Sequence, residues 1–131
     1  MQITRQADYA VRAIMYLAQI GSEKKAATSQ IAEEQDIPLS FLAKIIAQLS
    51  VAGLLQTMRG ARGGVALARN PDDISLLEVV EAIDGPIQLN ECVNGIHECQ
   101  IENCPLRNVW RDAQEDLVGR LRKTTFGQFV N

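Results

Sequence analysis

The order of elements along this 131-residue chain predicts a mainly α fold of the winged helix-turn-helix class. Three features carry that expectation. Two short helical patterns are joined by the tight turn "DIP" at residues 36–38, in the arrangement of a helix-turn-helix. A glycine-rich cationic hairpin, "RGARGG" at residues 59–64, follows directly. A long amphipathic pattern then begins near residue 105.

Each element has its own signals. Residues 4–20 read as a first helix, with Thr4 as N-cap and Ala7, Ala10, Val11, Ile14, Leu17 and Ala18 at helical spacing. Gly21 ends it. Thr28 or Ser29 caps a short second helix that stops near Gln35. Pro38 opens a third over residues 39–52, with Leu42, Ile45, Ile46 and Leu49 on one face and Gly53 as its stop. Leu55 and Thr57, then Val65 and Leu67, alternate as the strands of a hairpin. Ser75 and Glu78 form a capping box for a fourth helix.

The last helix carries an apolar stripe of Leu106, Val109, Trp110, Ala113, Leu117 and Leu121. Such a stripe needs a partner, either the first helix or the same helix of a second copy, so a homodimer is expected. Trp110 is expected to be a core residue. "TTFGQFVN" reads as a poorly ordered tail or an unfinished helix. The organisation expected is a winged helix-turn-helix DNA-binding domain over residues 1–85, a cysteine-containing cluster-binding loop over 86–104, and a dimerisation helix with a C-terminal tail over 105–131.

Composition narrows the class. An apolar fraction of 47% fits a folded protein, and no stretch approaches the ~20 apolar residues of a membrane span. The first residues lack the pattern of an export signal, so a cytoplasmic, membrane-free location is expected. The net charge of −3 hides a polarity. Residues 1–70 carry eight Lys/Arg against five Asp/Glu, and residues 71–131 carry five against eleven. A basic front half and an acidic back half suit a chain that meets a polyanion with one part only. No nucleophile–base pair, P-loop or dinucleotide fingerprint appears, so an enzyme is not expected.

The candidate DNA contacts lie in two places. Ser40, Phe41 and Lys44 sit on the first turns of the third helix, off its apolar stripe, where a helix N-terminus and a cation can meet phosphate or guanine. Arg59, Gly60 and Arg62 form the hairpin tip, where glycine lets the backbone approach a groove closely. Cys92, Cys99 and Cys104, spaced C-x6-C-x4-C, are the only cysteines. In a reducing compartment they point to metal or redox chemistry. The spacing leaves three readings open: an iron–sulfur cluster, a zinc ion, or unligated thiols, the last including a thiol or redox protein. His97, Glu91, Glu98 and Asp8 are the candidates for a fourth ligand.

These residues resemble a known family. "MQITRQADYAVRAIMYLA", "IPLSFLAKIIAQLSVAGLLQTMRGARGGVALARNP" and "ISLLEVVEAIDGP" are similar to the IscR/NsrR/RirA group of bacterial winged-helix transcription regulators. The resemblance spans nearly the whole chain and includes the "RG-x-x-GG" wing after "L-x-x-AGL". It implies a homodimer on a pseudo-palindromic DNA operator, with an iron–sulfur cluster that senses iron, redox state or nitric oxide. Cys92, Cys99 and Cys104 match the three ligand cysteines. In IscR-type members a histidine three residues past the last cysteine completes a [2Fe-2S] site; here that position is Arg107. In NsrR-like members an aspartate on the first helix of the other subunit completes the site, and Asp8 stands at the matching place. The resemblance therefore implies an NsrR-like or RirA-like site, with [4Fe-4S] favoured over [2Fe-2S]. Cluster-free members of the CymR kind, which respond to a partner protein, are the implied alternative.

Overall fold

The computed structural model describes residues 2–90, 93 and 104–130. Five α-helices and one two-stranded hairpin follow the expected order. Helix α1 (Arg5–Ile20) is capped as expected: the Ala7 amide donates to Thr4 Oγ1 at 3.1 Å. Thr4 is also tied to the far end of the fold. Its amide donates to Asp84 Oδ2 at 3.2 Å and its hydroxyl donates to Asp84 Oδ1.

Helix α2 (Thr28–Gln35) starts one residue earlier than expected, with Ala27 as N-cap and no side-chain cap. The reason is the hairpin. Ala26 is held in a bridge to Val65, with N–O distances of 2.9 and 2.7 Å, and this fixes where the chain turns into the helix. The turn between α2 and α3 (Leu39–Val51) is a Schellman motif. Asp36 adopts the left-handed conformation at φ 52°, ψ 52°, its amide donates to Glu33, and the Ile37 amide donates to Ala32 at 2.9 Å. Ile37 is buried beneath the turn, and Pro38 then opens α3.

Strands β1 (Leu55–Met58) and β2 (Gly64–Leu67) pair antiparallel, with Leu55 opposite Leu67 and Thr57 opposite Val65. At the tip the Gly63 amide donates to Gly60 O at 2.9 Å. A Cβ on Gly63 would lie 2.1 Å from the Met58 carbonyl oxygen, so only glycine closes this turn.

A 3-10 turn at Pro71–Asp73 leads into α4 (Leu76–Asp84). The capping box is half realised. The Glu78 amide donates to Ser75 Oγ at 3.1 Å, but the Glu78 carboxylate pairs with Arg69 at 2.6 Å instead of reaching back.

The core lies between α1, α3 and α4, with Ile14, Leu17, Leu42, Ile45, Leu49, Leu54, Ile74 and Val79 fully enclosed. Burial of each such side chain contributes about 1.5–3 kcal/mol. Helix α5 (Leu106–Lys123) docks by its C-terminal half: Leu117, Val118 and Leu121 pack on Leu77, Val80 and Ile87.

Two expectations are corrected. The C-terminal segment is not a loose tail: of the two readings the unfinished helix fits, as a 3-10 turn at Phe126–Phe129. Thr124 O accepts from Leu76, Phe126 N donates to Ile74 O, and Phe126 is 2% exposed in the main core. Trp110 is not a core residue of the chain. It is 40% exposed on a half of α5 that packs on none of the described core clusters.

Candidate nucleic-acid interface and metal centre

Helix α3 owes its orientation to its own sequence. Leu42, Ile45, Ile46 and Leu49 turn one side into the core, and Ser40, Phe41 and Lys44 are left exposed on the other. Ser40 does not cap the helix, because Pro38 occupies that position without a side-chain bond, and the Ser40 hydroxyl has no partner among the described residues. Phe41 and Lys44 line one cleft of about 500 Å³ with Thr4, Gln6 and Asp84. Arg59, Gly60 and Arg62 are exposed at the tip of the hairpin. Among the described residues Lys44, Arg59 and Arg62 form no ion pair, whereas Arg12 and Arg69 are both paired. Exposed cations without a described carboxylate partner are what a polyanion attracts.

The cysteines give a different picture. Cys104 is a free, half-buried thiol just before α5, and its carbonyl accepts from the Arg107 amide at 3.2 Å. Cys92 and Cys99, with His97, Glu91 and Glu98, lie outside the described residues. Asp8 projects from the first turn of α1 with its side chain 60% exposed. Arg12 Nε lies 3.3 Å from Asp8 Oδ2, off-line for a hydrogen bond. The same guanidinium stacks 5.0 Å over the Tyr9 ring and donates to the Gln35 carbonyl at 2.8 Å. Among the described residues no three His, Cys, Asp or Glu converge on one point. Asp8 and Cys104 therefore make no metal site by themselves within one chain.

Several positioning residues had no signal in the sequence. Asp84 ends α4, just ahead of the cysteine segment, and holds the start of α1 through Thr4. Gln114 on α5 accepts from the Leu89 amide at 2.9 Å, which fastens the upstream arm of that segment to the helix on its downstream side. Arg12 joins α1 to the last residue of α2. Each bond links residues 23 or more apart in sequence, so local pattern does not reveal it.

A helix-turn-helix followed by a cationic wing defines a DNA-binding protein of the winged-helix class. The chain matches the model of the Rrf2 family, described as an iron-dependent transcriptional regulator, over residues 3–131, and it belongs to that family. It is similar to the transcriptional regulator IscR of Klebsiella pneumoniae, 33% identical over all of this chain and 80% of that protein. It is also similar to the transcriptional regulator NsrR of Shouchella clausii, 34% identical over 99% of this chain and 89% of that protein. Among solved structures, T. potens IscR superposes with a TM-score of 0.76 at 27% identity, covering 98% of this chain and 85% of the other. CymR, the global cysteine regulator of B. subtilis, superposes with a TM-score of 0.84 at 23% identity over 100% and 99% of the two chains, a likeness of fold. The chain is thus a DNA-binding transcriptional regulator and not an enzyme. No helix among the described residues is long and apolar enough to cross a membrane.

Proposed function

We propose that two copies of this chain act in the cytoplasm on a pseudo-palindromic operator, and that an iron–sulfur cluster sets their affinity for it. Ser40, Phe41 and Lys44 of each copy enter a major groove, and Arg59, Gly60 and Arg62 of each wing meet the adjacent backbone or minor groove. Cys92, Cys99 and Cys104 hold the cluster, with Asp8 of the second copy as fourth ligand. The group supplies a site that iron supply, oxidants or nitric oxide can alter. A [4Fe-4S] cluster is favoured because the position where an IscR-type histidine would stand is Arg107, whose guanidinium offers donors and no ligand atom to iron.

One observation carries this reading. The uncovered apolar half of α5, with Leu106, Val109 and Trp110 at 55%, 56% and 40% exposure, begins two residues after Cys104. A second copy seated on that face lies next to Cys104, and this is where a ligand from another chain is required. The donor set fits: three thiols, one of them a free half-buried thiol, and a carboxylate turned away from its own core. The arm upstream of the cysteines is tied to α1 through Asp84 and Thr4 and to α5 through the Leu89–Gln114 bond, and Cys104 leads directly into α5. A change at the cysteines therefore bears on α1 and α5 together, and through them on the spacing of the two recognition helices.

The test is anaerobic purification with visible absorption and iron, sulfide and zinc analysis. A brown protein with iron and sulfide, whose colour is lost in Cys99→Ala, supports the cluster. A colourless protein with stoichiometric zinc, or with no metal, overturns it and leaves a cluster-free regulator of the CymR kind. Cys99→Ala protein that binds DNA like the cluster-loaded wild type overturns the coupling.

A further inference from the structure

We infer that Gln48 reads a base in the major groove one helical turn beyond Lys44, and that its amide selects an adenine there. The inference rests on α3 being the recognition helix, as proposed above. With Leu42, Ile45, Ile46 and Leu49 facing the core, Ser40, Lys44 and Gln48 follow one another at four-residue intervals on the exposed side. Four residues of helix advance about 6 Å, close to two base-pair steps of about 3.4 Å each. Lys44 and Gln48 line the same cleft and so open to one space. The carboxylate in that cleft, Asp84, is already engaged by Thr4. On the exposed side Ala43 and Ala47 are too small to stand between the amide and a groove.

The chemistry of the side chain decides its role. Gln30, Gln114 and Gln128 spend their amides on Tyr16, the Leu89 amide and the Lys123 carbonyl. The Gln48 amide has no hydrogen-bond partner among the described residues, so its N–H and its C=O are both available. A side chain that donates and accepts side by side matches the N7 acceptor and N6 donor that adenine shows in the major groove. Gln48 is neutral and releases no counterion. It therefore contributes discrimination between sequences, where Lys44 contributes salt-dependent attraction.

The test selects binding sites from a pool of randomised duplexes with the full-length, anaerobically prepared wild type, Gln48→Ala and Lys44→Ala. The duplex chosen by the wild type is then titrated with each protein across a range of salt. Gln48 is exposed, so the substitution leaves the fold intact, which a thermal melt checks. The expected result is that Gln48→Ala loses preference at one A·T pair per half-site. It should bind the selected duplex about tenfold more weakly with an unchanged salt slope. Lys44→Ala should weaken binding to all duplexes and lower the slope by about one. Unchanged base preferences in Gln48→Ala, or an equal loss on every duplex, overturn the inference and leave the recognition helix standing. A wild type that selects no sequence, or a Lys44→Ala protein with an unchanged slope, overturns the recognition helix and the inference with it.

Discussion

Helices α3 and α5 both carry an apolar stripe at helical spacing, and the fold treats them in opposite ways. The stripe of α3 is sealed: Leu42, Ile45, Ile46 and Leu49 are all buried, and what remains outside includes a hydroxyl, an amide and an ammonium with no partner among the described residues. No residue of α5 is buried. Its C-terminal half leans on α4 through Leu117, Val118 and Leu121, while Leu106, Val109 and Trp110 stay open. Water disfavours a continuous apolar patch of this kind on a single chain. The exposed side of α3 suits a hydrated polyanion, and the exposed half of α5 suits another protein surface. One helix is finished by its own chain, and the other is the face proposed for a second copy.

Substitutions on the two helices should separate these roles. The largest effect belongs to Ile45→Ala. Removing an enclosed side chain from the α3 stripe should cost about 2–5 kcal/mol in denaturant unfolding, and a cost below about 1 kcal/mol would contradict the packing. Trp110→Glu should weaken self-association by about 1.5–3 kcal/mol, or roughly 10- to 150-fold in dimer dissociation, read by sedimentation. Helical content should be unchanged, and an unaltered assembly would place the dimer face elsewhere. Ser75→Ala removes the cap of α4, on which α5 leans, and should lower thermal stability by about 1 kcal/mol without touching DNA affinity at low temperature. The smallest effect on the fold is expected for Arg62→Ala. Its unfolding curve should superpose on the wild type, while the slope of log affinity against log salt falls by about one.

Most of the fold was legible because its signals are local. Thr4, Gly53, Ser75 and the glycines at 60, 63 and 64 stand where a cap, a stop or a tight turn needs them, and the apolar spacing of α1, α3 and α4 names their buried sides. The errors came where a distant contact overrode a local preference. Thr28 and Ser29 are good capping residues, yet the bridge from Ala26 to Val65 set the start of α2 first. Glu78 matches a capping box, yet Arg69 offered its carboxylate a charge-assisted bond. Phe126 follows a helix end that looks frayed, yet α1 and the turn at Pro71–Asp73 take it into the core.

The candidate site divides along the same line. The exposed positions of α3 and the wing follow from helical period and turn chemistry, so Ser40, Lys44, Arg59 and Arg62 could be picked out directly. Asp8 is one of four candidate fourth ligands on the residues alone, and only the family resemblance singles it out. Gln48 has no such mark, because an uncharged side chain on a polar face looks like any solvated residue.

The sequence alone determined the order of helices and hairpin, the sealed side of α3 and the cationic wing, because each depends on residues within a few positions of one another. Tertiary structure decided which faces were left over. Only packing shows that the C-terminal half of α5 is covered and its N-terminal half is not, that Phe126 is core and Trp110 surface, and that Thr4 meets Asp84 across 80 residues. Those outcomes depend on where separate elements come to rest against each other, and a one-dimensional pattern does not contain that.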